Sequence, residues 1–435
     1  MRPTLVLAVV AAAQFIVALD ISIVNVALPQ IRDALGFSGA ALPWVVNAYT
    51  VALGGLLLLG GRLGDLFGRR RLLVGSLALF ALASLAGGLA QSSGQLIACR
   101  ALQGVAAAGL APAALALLST TFPSGPERAR ALAVWAAVTA AGGAVGVLLS
   151  GLLTELASWR WVLFVNVPIA AGALLAARRA LPRETAAPRP GRLDLPGALL
   201  ATGGATALVF GVLRAGSDGW GSPSALATLA LAVVLLALFV SVERRSVQPL
   251  VRLSLLGQRR LAAANVTMAL LCSGQFAAFY FVSLLLQETL GYRPVEAGLA
   301  FLPFCAGIVL GATAATRLLP RHGARALVVP GALLAAGGLL WFGTAGAGDG
   351  YLTALLGPMV LTSAGLGLCF VPVTGAATGG VAPREAGMAA GVANASRQIG
   401  GAIGLAALVA IGQPPALAVG AALMVLAAVA ALALG

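Results

Sequence analysis

Lysine is missing from this chain: all 27 basic residues among its 435 positions are arginine, so a phosphate-binding P-loop, which needs a lysine behind its glycine-rich turn, has no candidate. Histidine is nearly missing too. The single one, His322, falls in a predicted loop, and no HExxH, GxSxG or Cys/His set occurs, which removes the chemistry an intramembrane enzyme would need. The cysteines Cys99, Cys272, Cys305 and Cys369 lie inside apolar runs without a CxxC pair and read as small packing residues. No metal and no cofactor is expected. Charge is scarce throughout: 9% of residues are charged and 60% hydrophobic, against roughly a quarter charged in a soluble domain. A water-facing surface cannot be built from that composition, and the expected class is all-α integral membrane.

What the chain has instead is a succession of apolar stretches, each long enough to cross about 30 Å of hydrocarbon. Fourteen are expected, over 5–28, 42–61, 72–91, 95–118, 131–153, 160–177, 195–213, 223–242, 261–286, 297–316, 326–345, 351–375, 387–411 and 415–434. The first begins Met1-Arg2 and passes Ala11-Ala12-Ala13 like a signal peptide with its cleavage site. It is too long for one, running on to Pro29, and is read as a retained helix.

The formal charge of +14 would suggest nucleic acid in a soluble protein, so the position of each arginine decides. With the N-terminus in the cytoplasm, 21 arginines fall in cytoplasmic loops or their edges, 4 outside (Arg32, Arg160, Arg214, Arg293) and 2 within spans (Arg100, Arg397). That is the positive-inside bias of a multi-pass protein with both termini cytoplasmic, and it leaves no role for nucleic acid. An Ala-, Gly- and Arg-rich chain without lysine fits a G+C-rich bacterial genome, hence a bacterial cytoplasmic (inner) membrane.

Two polar segments, 178–194 and 243–260, bracket a pair of spans and leave six on either side. The expected organisation is an N-terminal six-helix bundle (1–180), linkers with an inserted two-helix hairpin (181–260) and a C-terminal six-helix bundle (261–435). The halves also align: Arg62, Leu63, Gly68 and Arg70 recur at an offset of 255 as Arg317, Leu318, Gly323 and Arg325. Internal repeats with binding between them are a common plan of secondary transporters.

Asp20 is the only acidic residue well inside a span, where a carboxylate costs about 2.5 to 3.5 kcal/mol on insertion scales. Counted from the span ends, its depth differs from that of Arg100 by about 5 Å, which permits an ion pair. Burial disfavours the charged carboxylate and a guanidinium favours it, so this acid suits proton coupling. A permanent structural salt bridge is the other reading.

Further along the first span, Ser22 faces away from Asp20, while Gln14 and Asn25 share a face, Asn25 being equally suited to helix packing. Arg100, Gln103, Gly104, Ala107 and Ala111 line one face of the fourth span. Gly142, Gly146 and Ser150 form a close-packing ridge on the fifth. Between the second and third spans, Gly61 and Gly68 permit a tight turn that sets Asp65 among Arg62, Arg69, Arg70 and Arg71. An acid there can latch onto those arginines or onto a helix N-terminus of the other half.

In the second half, Asn394, Arg397 and Gln398 share a face, with Gly387 and Gly391 before them. Met268, Cys272, Gln275 and Phe279 form a soft face for an apolar substrate or for core packing. Gln14, Gln103, Gln275, Phe279, Asn394, Arg397 and Gln398 are therefore the candidate cavity residues. Glu155 and Glu288, at outer helix ends, read as solvated rim.

Together these residues resemble the major facilitator superfamily, in particular its fourteen-span drug/proton antiporter branch. Ala18 to Pro29 is similar to that branch's first-helix signature, Gly61 to Arg71 to the superfamily loop motif, and Leu96 to Ala108 to the fourth-helix motif; Trp159 to Pro168 and Gly387 to Gly401 also look familial. The resemblance implies two six-helix bundles plus a hairpin, with Asp20 as proton-coupling acid, Arg100 as its partner and Asp65, Gly61, Gly68 and Arg69 as a cytoplasmic gate. The fifth span departs from the antiporter pattern, having Gly146-Val147 and Ser150-Gly151 where the motif has Gly-Pro and Gly-Gly. That departure leaves the direction of transport open.

The expected function is proton-driven export of hydrophobic drugs, antibiotics or secondary metabolites by alternating access. A dedicated exporter or importer of one metabolite is the alternative. The proton gradient would supply the energy, the bilayer, the substrate and protons would be the partners, and a monomer would suffice. With no acid mid-membrane in the second half, dications are poor candidates for cargo.

Overall fold

The computed structural model describes residues 3–122, 125–181, 193–246, 248–344, 350–382, 385–412 and 415–434. Met1, Arg2, Arg384 and most of the proline- and arginine-rich stretch after Arg179 lie outside them. The first bundle contains α1 (Pro3–Val26), α2 (Leu28–Leu35), α3 (Trp44–Phe67), α4 (Arg69–Gly88), α5 (Ser93–Thr121), α6 (Pro126–Leu156), α7 (Trp161–Phe164) and α8 (Asn166–Ala180). The hairpin is α9 (Leu195–Asp218) and α10 (Pro223–Arg245), followed by the short α11 (Leu253–Leu256). The second bundle contains α12 (Arg259–Leu284), extended by a π turn, then α13 (Pro294–Ala300), α14 (Leu302–Phe342), α15 (Tyr351–Ala354), α16 (Leu356–Thr378), α17 (Ala386–Ile411) and α18 (Pro415–Ala431).

By length and hydropathy, 12 helical segments can cross a membrane among the described residues, rather than the fourteen expected. The difference has two sources. Pro294–Phe342 is counted once, although Gly323 breaks it at φ 78° and each part covers one expected span. The 26-residue α17 falls outside the count, its first half being rich in small and polar residues.

Local chemistry sets the breaks. Ser92 and Asp194 cap α5 and α9 by accepting from Gln95 and Gly197 backbone N–H groups at 3.3 and 2.8 Å. Gly68, at φ 100°, separates α3 from α4 in a conformation that a Cβ would resist. Its partner at the 255-residue offset, Gly323, likewise takes a positive φ after the second span of the other half.

Small residues let the helices close. A Cβ on Gly104 would collide with the Tyr49 carbonyl of α3, and one on Gly146 with Ser22 of α1. Gly142 meets α1 in the same way, its Cβ standing 3.0 Å from the Phe15 carbonyl, so two of the three ridge residues of α6 seat against α1. Ser150, the third, is fully buried.

The hairpin lies across the seam of the two bundles. On one side α9 packs on α3, through Thr202 at Gly55 and Phe210 against Trp44, ring centroids 6.1 Å apart; on the other, Gly216 meets Ala410 of α17. The outward face of α10 exposes Leu231, Val233 and Val234. Its last turn does something the sequence had not suggested. Glu243, expected in a polar loop, is 3% exposed and accepts from Val251 N–H at 3.2 Å, facing Asp194 across Gly197.

Candidate functional site: a buried ion pair in the first bundle

Asp20 and Arg100 meet between α1 and α5 at 2.5 Å, with side chains 0% and 1% exposed. Such a pair depends on hydrogen bonds to its remaining lone pairs and N–H groups, because neither ion keeps its water. Several neighbours supply them. Asp20 Oδ1 accepts from Gln103 Nε2 at 3.1 Å and Asn166 Nδ2 at 2.9 Å. Arg100 donates from Nε to the Val45 carbonyl at 2.9 Å and from Nη1 to Gln103 Oε1 at 2.9 Å, and its guanidinium lies 4.6 Å from the Tyr49 ring centre. Gln103 Nε2 also donates to Ser84 Oγ at 2.8 Å.

The sequence builds this cluster from separate helices. Arg100 and Gln103, three apart on α5, share a face. Gly104 beside them has no side chain, so α3 approaches near enough to offer Val45 and Tyr49. Ser84 comes from α4 and Asn166 from the start of α8.

One expectation is corrected here and one residue is added. Gln103 does not line a cavity: it is fully buried and binds both ions of the pair, because its face of α5 turns into the bundle. Asn166, noted only as part of a motif, is a direct ligand of Asp20. The only signal for it was an amide within an apolar run, which a helix cap would equally explain. Gln14 donates to Thr139 Oγ1 of α6 at 3.0 Å, and Asn25 bonds back to its own helix at Ile21.

At the arginine-rich end, Asp65 pairs with Arg69 at 3.4 Å, within the turn. Arg69 also donates to the Ala116 carbonyl at 3.5 Å, and Arg70 to the Arg178 carbonyl at 3.3 Å. Arg62 bonds Gln248 in the linker that leads to the second bundle. A Cβ on Gly61 would reach only Pro112, at 3.8 Å, so space does not demand glycine there.

The opposite end joins the bundles. Arg32 pairs with Glu288 at 2.6 Å and Arg293 with Glu155 at 3.1 Å, so these two glutamates are clasps rather than solvated rim. Asp33 and Glu288 together hold the Arg32 guanidinium above its ordinary range. Ser283 donates to the Asn25 carbonyl at 2.7 Å and Gln287 to the Val26 carbonyl at 2.8 Å. Reading these contacts needed the tertiary structure, since all four cross from one half to the other.

Among the described residues, the second bundle has no comparable network of ions. Phe279, partly exposed, stacks on Phe301 and packs edge-on against Phe304, ring centroids 5.3 and 4.8 Å apart, at the edge of the core. Gln275 and Gln398 are buried, each with its Oε1 unpaired among the described residues, and Gln398 sits beside Gly54 at the α3–α17 contact. Arg397 and Asn394 are partly exposed on α17.

Comparison with known proteins adds to this geometry. The sequence model described as Major Facilitator Superfamily matches residues 10–405. The puromycin resistance protein pur8 of Streptomyces alboniger is 47% identical over 92% of this chain and 80% of its own length. The cephamycin export protein CmcT of Amycolatopsis lactamdurans is 45% identical over 94% and 85%, and a lincomycin resistance protein of Streptomyces lincolnensis 38% over 93% and 83%. Among solved structures, the nucleoside transporter NupG superposes with a TM-score of 0.67 at 12% identity, covering 100% of this chain and 98% of that one, a likeness of fold.

Proposed function

Since the chain belongs to the Major Facilitator Superfamily, we propose that it exports hydrophobic small molecules, such as drugs, antibiotics or secondary metabolites, in exchange for protons. It works as a monomer in the bacterial cytoplasmic membrane, with the arginine-rich end and both termini in the cytoplasm, and needs no cofactor beyond the proton gradient. The relatives named for resistance or export support the cargo class.

The observation that carries the coupling is the carboxylate of Asp20, sealed from solvent yet held by one cation and two neutral donors. Protonation removes the Coulomb attraction to Arg100 and leaves that guanidinium to Gln103, the Val45 carbonyl and the Tyr49 face. The joint between α1, α5 and α8 is then weaker in one protonation state than in the other. A difference of that kind biases a two-state equilibrium. The clasps opposite the arginine-rich end describe the state closed to the outside; proton arrival from outside requires that they part.

Uncoupler-sensitive efflux of a fluorescent dye from cells carrying Asp20→Asn tests this. Loss of proton-driven efflux at normal expression is expected, and unchanged pH-dependent transport would remove Asp20 from the role. A second reading, a dedicated exporter of one metabolite, is favoured by relatives each named for a single antibiotic. A growth-inhibition panel separates the two: one protected compound for a dedicated exporter, many unrelated ones for a multidrug exporter.

A further inference from the structure

Arg397 lies eleven residues into α17, about 16 Å from that helix's arginine-rich end, and so near the middle of the membrane. A guanidinium at that depth ordinarily pairs with an acid or with backbone carbonyls, or faces a water-filled cavity. Arg100 has an acid; Arg397 has none among the described residues. Among the described acids of its bundle, Glu288 and Glu296 lie at the opposite end, and Glu385 is twelve residues away and engaged by Arg252 at 2.6 Å. Arg397 Nε is buried without a hydrogen-bond partner, and the guanidinium rests 5.4 Å from the ring centre of Phe370 on α16.

Its surroundings extend the pattern. Asn394, three residues earlier and on the same face, is partly exposed and has no hydrogen-bond partner among the described residues. Cys272 of α12 is a hydrogen-bond partner of the guanidinium, though a neutral one that does not balance its charge, and Gln275, three residues along α12, carries an unpaired Oε1. One cation without an acid and an amide on α17 thus face an aromatic ring on α16, with the Cys272 thiol and the Gln275 amide of α12 beside them.

We propose that Arg397 is an anion-binding subsite for the transported molecule, taking a carboxylate or an acidic enol on its fork while Phe370 carries the adjoining apolar ring. A guanidinium binds such planar groups through two parallel hydrogen bonds, with Asn394 supplying a third donor. The preferred cargo is then an amphipathic organic anion. The inference takes from the proposed export function only that a small molecule enters between the bundles.

The test uses intact protein in proteoliposomes and one pyrene ring system in two forms, the anionic butyrate and its neutral ethyl ester, so that charge changes while the apolar body stays. Equilibrium binding is measured without any gradient, for the native protein and for Arg397→Gln and Arg397→Lys. Tighter binding of the carboxylate by the native protein is expected, with a loss of about ten-fold or more in Arg397→Gln, as for a hydrogen bond to a charged group. Ester binding should change less than about two-fold, which also reports that the variant is folded, and Arg397→Lys should recover part of the selectivity. Equal losses for both dyes, native binding that favours the ester, or no binding of the carboxylate each overturn the proposal. Carboxylate selectivity without proton-driven export of either dye would leave the subsite standing and sink the export reading instead.

Discussion

Arg100 and Arg397 each sit well inside a long helix, one in either bundle, and differ in what surrounds them. Arg100, in the first bundle, is 1% exposed and spends its donors on Asp20, Gln103 and the Val45 carbonyl. Arg397, in the second, is partly exposed, lies against Phe370 and pairs with no acid among the described residues. A compensated buried ion is a fixed part of the fold, while an uncompensated one keeps its field available to something that arrives. On the proposed reading the bundles divide the work: the first holds a charge pair whose balance a proton would alter, and the second holds a charge that cargo would balance.

The largest break in that comparison is expected from Arg100→Gln. Removing one member of a buried pair strands the other, at about 3 to 5 kcal/mol. A fall in apparent Tm in detergent and in folded yield should follow, and Asp20→Asn in the same chain should recover most of it, because an amide needs no counter-ion. If the single and double variants melt alike, the pair is not the unit described. Asn166→Ala comes next. It withdraws a 2.9 Å hydrogen bond from the carboxylate, worth about 1.5 to 3 kcal/mol for a charged acceptor, and a melting shift smaller than that of Arg100→Gln would place Asn166 as a support of the pair.

Those two residues also mark how far the sequence could be read. Asp20 and Arg100 stand out because a charge in an apolar run has few reasons to be there, and helical spacing put them at similar depth. Gln103 shared the face of Arg100, yet spacing alone could not say whether that face met a cavity or a neighbour. Asn166 was out of reach for a different reason. It lies on another span, 146 residues from Asp20, and helical periodicity carries no information about which helix stands next to which. The clasps Arg32–Glu288 and Arg293–Glu155 failed to register for the same cause, and rim glutamates look identical whether solvated or paired. The span count slipped where composition softens, in the small-residue α17 and across the Gly323 break.

A smaller effect belongs to the clasps. Arg32 and Glu288 keep 33% and 38% of their side-chain surface exposed, so their pair is worth about 0.2 to 1 kcal/mol and is screened by salt. Glu288→Gln should leave the melting temperature nearly unchanged while raising the share of molecules parted at that end. Distances between spin labels at Ser38 and Thr289, in a cysteine-free background, would read that share. A rise common to Glu288→Gln and to the native protein at high salt is expected, whereas insensitivity to both would make the backbone contacts of Ser283 and Gln287 sufficient to hold the end closed.

The smallest effect sharpens the comparison most. Arg397→Gln removes a membrane-interior charge, as Arg100→Gln does, but no carboxylate is left stranded. What is lost is the cation–π contact with Phe370, about 0.5 to 1 kcal/mol at a partly exposed site, and the hydrogen bond to Cys272; what is recovered is the cost of keeping a guanidinium away from water. These terms oppose each other, so Arg397→Gln should melt within about 1 kcal/mol of the native protein while Arg100→Gln falls well below it. Equal destabilisation by the two would mean that Arg397 has a structural partner after all. A stable Arg397→Gln means that the fold does not need this arginine, and a charge kept in a membrane without service to the fold is explained by what it binds.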